Sequence, residues 1–122
     1  MLNAAEITGI ILAGGKSRRM KSDKAFLTYQ DRPLIAHVIE ALEAVTSEVI
    51  LVSDDNRYDV FNKRRFPDLL EDAGPLAGLY TGLYHSETPY NLVLGCDTPL
   101  VNQTVFKPLF SNASKKYDIV QL

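Results

Sequence analysis

Tryptophan is absent from this 122-residue chain, and cysteine occurs once. A single cysteine cannot close an internal disulfide, which excludes small disulfide-held secreted frameworks and accords with a reducing cytosol. The two histidines, His37 and His85, have no cysteine or histidine neighbour at ligand spacing, so no zinc site is expected. No apolar run approaches the roughly 20 residues that span a bilayer, and with no basic start ahead of an apolar stretch no signal peptide is expected. An excess of one charge is lacking too. Thirteen Lys and Arg against 15 Asp and Glu leave a net charge of −2, which excludes bulk binding to DNA, RNA or an anionic membrane. Repeats, low-complexity tracts and interdomain linkers are also missing. The expectation is one cytoplasmic domain over 1–122, with 46% hydrophobic residues to build its core.

Against this ordinary background one segment stands out. Ile7 to Ala13 is apolar and β-branched enough to read as a strand covered on both faces. Gly14 and Gly15 follow, and without Cβ atoms they permit a sharp turn and close approach of a ligand to the main chain. Lys16, Arg18, Arg19 and Lys24 then place positive charge beyond the carboxyl end of the strand, where open α/β sheets bind ligands. Such a loop suits a polyphosphate. A tight turn beside a solvated basic patch would use the same residues.

Spacing excludes two neighbouring motifs. A P-loop ending at Gly15-Lys16-Ser17 needs a glycine at position 10, which is Ile10, and Gly9 is one residue too far away. The dinucleotide fingerprint fails because no glycine follows Gly15 at the required offsets.

Along the chain, strand and helix patterns alternate. Pro33 sits where a first helical residue belongs, and Leu34, Ile35, Val38, Ile39, Leu42 and Val45 recur at helical spacing, with His37, Glu40 and Glu43 outside. Val49 to Val52 reads as a second strand, ending at Ser53-Asp54-Asp55-Asn56. A short helix is expected near Tyr58 to Lys63, and a third strand over Phe66 to Leu70, interrupted by Pro67. Pro75 opens another helix with Leu76, Leu79 and Leu83 inward, and Tyr80, Tyr84 and Tyr90 as amphipathic packing residues. Asn91 to Gly95 is a fourth strand. Asn102 caps a helix carrying Val105, Phe106, Leu109 and Phe110, and Asp118 to Leu122 begins a fifth strand. Strands separated by helices imply parallel pairing through right-handed crossovers, hence an α/β fold with a three-layer, doubly wound, mostly parallel sheet. The chain stops inside an apolar strand pattern with no polar tail, which fits a truncated reading frame at least as well as a natural terminus.

Asp97 follows the fourth strand and precedes Pro99, at the same sheet edge as the glycine loop. A carboxylate there can hold a hard divalent cation together with phosphate oxygens and water. It can equally bond the backbone of the turn that follows. Asp72, two residues before Gly74-Pro75, could likewise be a turn residue favourable to the next helix's dipole. Cys96 reads as a packed small side chain.

Leu12-Ala13-Gly14-Gly15-Lys16-Ser17-Arg18-Arg19-Met20 with Asp23-Lys24-Ala25 resembles the signature loop of nucleotidyltransferases, most closely the molybdenum cofactor guanylyltransferases. Glu71-Asp72-Ala73-Gly74-Pro75-Leu76-Ala77-Gly78 and Cys96-Asp97-Thr98-Pro99 agree in order and approximate spacing. The loop alone is shared by many nucleotidyltransferases; the three segments together are specific. The resemblance covers the whole chain, which lacks roughly the C-terminal third of a typical member. It implies a Rossmann-like fold of the nucleotide-diphospho-sugar transferase type. It implies transfer of GMP from GTP to the phosphate of molybdopterin, with release of pyrophosphate and dependence on Mg²⁺. Leu12, Ala13, Gly14, Gly15, Lys24, Ser53, Asp72 and Asp97 would then line the nucleotide site, with Asp97 on the metal and Arg19 and Lys24 stabilising the developing charge. Lys16 and Arg18 are secondary candidates. Two positions depart from the family: Ser53 stands where asparagine commonly meets the base, and Lys21 where glycine follows the methionine.

Three rival functions share parts of this pattern: a sister cytidylyltransferase using CTP, a non-catalytic nucleotide-binding module, and a P-loop kinase, disfavoured by spacing. The expected partners are GTP and a molybdopterin-type cofactor, a labile acceptor handed over by other cofactor-assembly proteins.

Overall fold

A computed structural model describes residues 3–13, 26–67, 69 and 75–95. Among the described residues six strands and two α-helices occur in this order: β1 (Ile7–Leu12), β2 (Thr28–Tyr29), β3 (Arg32–Pro33), α1 (Leu34–Glu43), β4 (Glu48–Val52), β5 (Arg64–Phe66), α2 (Pro75–His85) and β6 (Tyr90–Gly95). Four of them form a parallel sheet in the order β5-β4-β1-β6, while β2 and β3 make a separate antiparallel hairpin. The expected strands at β1, β4 and β6 and the helix at α1 are therefore present. The helix from Asn102 and the strand from Asp118 lie outside the described residues.

Alternation along β1 sorts the two helices onto opposite faces of the sheet. Ile7 and Ile11 are buried in a cluster with Ile35, Val38, Ile39 and Leu42 of α1, and with Val49 and Leu51 of β4. Ile10 joins Ile50 and Val52 in a second cluster, on the face of α2. β1 is thus covered on both sides, as its apolar run requires. A ten-residue helix such as α1 is marginal alone, so packing holds it. Each large apolar side chain it buries contributes about 1.5–3 kcal/mol. Pro33 stands one position earlier than expected, as the N-cap with φ −57° and ψ 146°, and Leu34 opens the helix.

α2 corrects the expected inward face. Leu76 and Leu83 are 71% and 45% exposed, Leu79 is half-buried, and Tyr80 and Tyr84 point outward and stack on each other. The buried side is made of Ala77, Gly78, Thr81 and Gly82. The cause is close approach to the sheet: a Cβ at Gly82 would lie 2.6 Å from Ile10 Cγ2. Leucines cannot fit where backbone meets β1 this closely. Gly82→Ala is therefore expected to destabilise the protein despite better helix propensity. Overpacking costs about 1–3 kcal/mol, against a propensity gain of about 1 kcal/mol. A denaturant midpoint at or above wild type would show that Ile10 moves aside freely.

The third strand also lies earlier than expected. It covers Arg64–Phe66, and Pro67 falls outside it, as a residue without an N–H donor should. Between β4 and β5 a 3-10 turn, Asn56–Phe61, replaces the short helix expected at Tyr58 to Lys63. Its Tyr58 is fully buried and packs on Phe26, 4.9 Å between ring centroids.

Candidate functional site

The sheet order contains one reversal. From β1 the chain moves through α1 to β4 and then β5 on one side, and returns through α2 to β6 on the other. The carboxyl ends of β1 and β6 flank that switch point, and Leu12 pairs with Gly95 there. Crevices outside such a point are where open α/β sheets bind ligands. β1 and β6 end at this edge, at Leu12 and Gly95.

Of the sequence-predicted site residues, Leu12, Ala13 and Ser53 are described, and all three lie on this edge. Leu12 is half-buried against the cluster beneath α2. Ala13 is buried, and its N–H donates to the Val52 carbonyl at 2.9 Å, extending β1–β4 contact past the last strand residue. Ser53 follows β4 and is 1% exposed. Gly14, Gly15, Arg19, Lys24, Asp72 and Asp97 lie outside the described residues, as do Lys16, Arg18, Lys21 and Cys96. Among the described residues, no three His, Cys, Asp or Glu side chains gather as a metal-binding group.

Ser53 is held through each of its polar groups. Its N–H donates to the Phe66 carbonyl at 3.0 Å, and its Oγ accepts from the Asp55 N–H at 3.0 Å. Its carbonyl accepts from Arg65 Nη1 at 2.9 Å. Arg65 also donates through Nε to Asp59 Oδ1 at 2.7 Å and through Nη2 to Asp59 Oδ2 at 3.3 Å. These bonds hold the Asp59 carboxyl below the usual carboxylate range and raise the Arg65 guanidinium. Next to it, hydrogen bonding from Arg57 lowers Asp55 in the same way, against the opposing effect of burial. The sequence reading missed Arg65, because its role depends on β5 lying beside β4. Nothing in the Arg64-Arg65-Phe66 run itself signals that pairing.

The histidines are structural where described. His37 donates from Nε2 to the Tyr29 carbonyl at 2.6 Å and accepts from Arg32 at Nδ1, at 3.2 Å, bracing the hairpin on α1. His85 stacks on Phe66 with centroids 3.6 Å apart. No helix among the described residues is long and apolar enough to cross a membrane.

The parallel sheet with helices on both faces is an α/β fold of the nucleotide-diphospho-sugar transferase type. Residues 9–122 match the MobA-like NTP transferase domain, and the chain belongs to that family. It is 41% identical over 113 residues to a "probable molybdenum cofactor guanylyltransferase" of Flavobacterium johnsoniae, a match covering 93% of this chain and 60% of the relative. The chain thus spans 60% of that relative's length. Among solved structures, a protein of Aquifex aeolicus VF5 superposes with TM-score 0.71 at 25% identity, covering 93% of this chain and 62% of its own. A CMP:2-keto-3-deoxy-manno-octonic acid synthetase, solved with CTP, shares the fold with TM-score 0.69 at 24% identity, covering 88% of this chain and 46% of its own.

Proposed function

We propose that residues 1–122 form one nucleotide-binding domain of a cytoplasmic enzyme that transfers GMP from GTP to the phosphate of molybdopterin, releasing pyrophosphate. The observation that carries this reading is the pairing of Leu12 with Gly95 at the topological switch point. Gly14 follows Leu12 by two residues and Asp97 follows Gly95 by two. Both motifs thus continue the chain from one sheet edge, which supports a shared site for the glycine pair and the carboxylate. Its relatives' names supply the guanylyl group and the acceptor class.

The reaction needs little covalent help from the protein. An oxygen of the acceptor phosphate forms a bond to the α-phosphorus of GTP. The bond from that phosphorus to its bridging oxygen breaks, and pyrophosphate leaves with the electron pair. Phosphate is already ionised near neutral pH, so no histidine base or nucleophilic triad is required. Positioning and charge neutralisation dominate such transfers. In this reading Gly14 and Gly15 let the main chain approach the phosphates, and Arg19 and Lys24 offset charge that develops on them. Asp97 would hold Mg²⁺, a hard cation that suits carboxylate oxygen and would offset phosphate charge when bound. Ser53 and Asp72 stand on the guanosine side.

Incubation with GTP, Mg²⁺ and molybdopterin tests the reaction, with pyrophosphate and the guanylylated product measured together. Pyrophosphate with GTP and none with CTP or ATP is the expected result. Turnover with CTP alone would assign the chain to the cytidylyl branch. Tight GTP binding without pyrophosphate would make it a binding module.

A further inference from the structure

Two neighbouring residues of β5 hold both peptide groups of Ser53. Phe66 accepts from its N–H through the backbone, and Arg65 donates to its carbonyl through the side chain. Peptide planarity then fixes the plane on each side of the Ser53 Cα. The Asp55 N–H holds Oγ.

Arg65 is itself held in place from the core outward. Tyr58 is fully buried and anchors the 3-10 turn Asn56–Phe61. Asp59 of that turn takes Nε and Nη2 of the guanidinium, which leaves Nη1 directed at the Ser53 carbonyl. The planar fork matters here, because a guanidinium can serve a carboxylate and a carbonyl at once in fixed directions. As an ion pair alone, Arg65–Asp59 would contribute little, since the Asp59 side chain is 57% exposed. Its consequence is directional: it aims a charged donor at the carboxyl end of β4.

We infer that Arg65 is a positioning residue for base recognition, holding the turn at residues 53–55 in the conformation that meets the nucleobase. The inference rests on the nucleotide reading above, in which this end of β4 serves the guanosine side. Arg65 touches neither phosphate nor reacting atoms in this account. Its loss should therefore alter discrimination between bases and leave phosphate binding alone. A residue that merely supported the fold would weaken every ligand together.

The test is calorimetric titration of GTP, ATP, CTP and inorganic tripolyphosphate, each with Mg²⁺, into wild type, Arg65→Met, Arg65→Lys and Asp59→Asn, alongside thermal melts. Arg65→Met should lower GTP affinity about tenfold, the order expected for one charged-donor hydrogen bond. It should narrow the preference for GTP over ATP and CTP and leave tripolyphosphate unchanged. Arg65→Lys should recover part of the preference at most, because an ammonium lacks the fork. A parallel loss of all four ligands, or an unchanged GTP preference, overturns the inference while the nucleotide reading stands. If Arg65→Met does not fold, Asp59→Asn decides. It loosens the fork with the Arg65 charge intact, and an unchanged preference in that folded variant overturns the inference too. Failure of wild type to bind any nucleotide overturns the nucleotide reading, and this inference with it.

Discussion

Lys24→Ala is expected to abolish nucleotidyl transfer and to weaken GTP binding, at a melting temperature close to that of wild type. Lysine is among the residues least often buried, so its removal takes little from a core. In the proposed reaction it removes a positive charge beside a triphosphate whose leaving group gains negative charge in the transition state. Loss of one such electrostatic donor typically costs about 10²–10³ in rate. The chain places this residue two positions before Phe26, which packs on Tyr58 and Phe61 and so fixes where the loop rejoins the core. Pyrophosphate release, with GTP affinity measured in parallel, checks the expectation. Wild-type turnover in Lys24→Ala would remove this lysine from the site.

Asp97→Asn should reduce Mg²⁺-dependent binding and catalysis far more than it reduces stability. The exchange is nearly isosteric, so the fold should survive it. The formal negative charge that attracts a hard cation is lost, and the remaining amide oxygen is a poorer ligand. GTP titrations with and without Mg²⁺ separate the two roles. Wild type should bind more tightly with the metal, and Asp97→Asn should lose most of that increment at a similar melting temperature. A persisting increment would make the carboxylate structural.

Legibility in the sequence followed how local each determinant is. β1 was readable because a strand covered on both faces must be apolar throughout, and α1 because its buried residues recur at helical spacing. In α2 the same reasoning chose the wrong face. Leucine at 76 and 83 looked like the core stripe, yet Ile10 leaves no room for a Cβ at Gly82. Only the distance between helix and sheet decides that. The hairpin of β2 and β3 carries no glycine signal, since Gln30 and Asp31 take φ values of 50° and 66° themselves. It is braced from outside by His37. β5 was shifted because Phe66 marked its start in the pattern and is in fact its last residue.

The candidate site divides in the same way. Gly14, Gly15, Asp72 and Asp97 stand in contiguous motifs and could be named from the chain alone. A shared edge for these motifs follows from parallel strands, but the adjacency of the strands that lead to them needed the strand order, because β1 and β6 are far apart in sequence and neighbours in the sheet. Arg65 reaches Ser53 across 12 residues of sequence, and its role needed the coordinates.

The central claim is that the nucleotide sits against the glycine pair beyond β1, and a GTP titration of wild type against Gly15→Val tests it most directly. No charge is lost in this substitution. A β-branched side chain disfavours a sharp turn and obstructs close approach of phosphate to the main chain. With Mg²⁺ present, wild type should bind GTP, and Gly15→Val should lose most of that affinity while keeping its thermal melt. Equal affinity in the two proteins would contradict the claim, because the loop would then not hold the ligand.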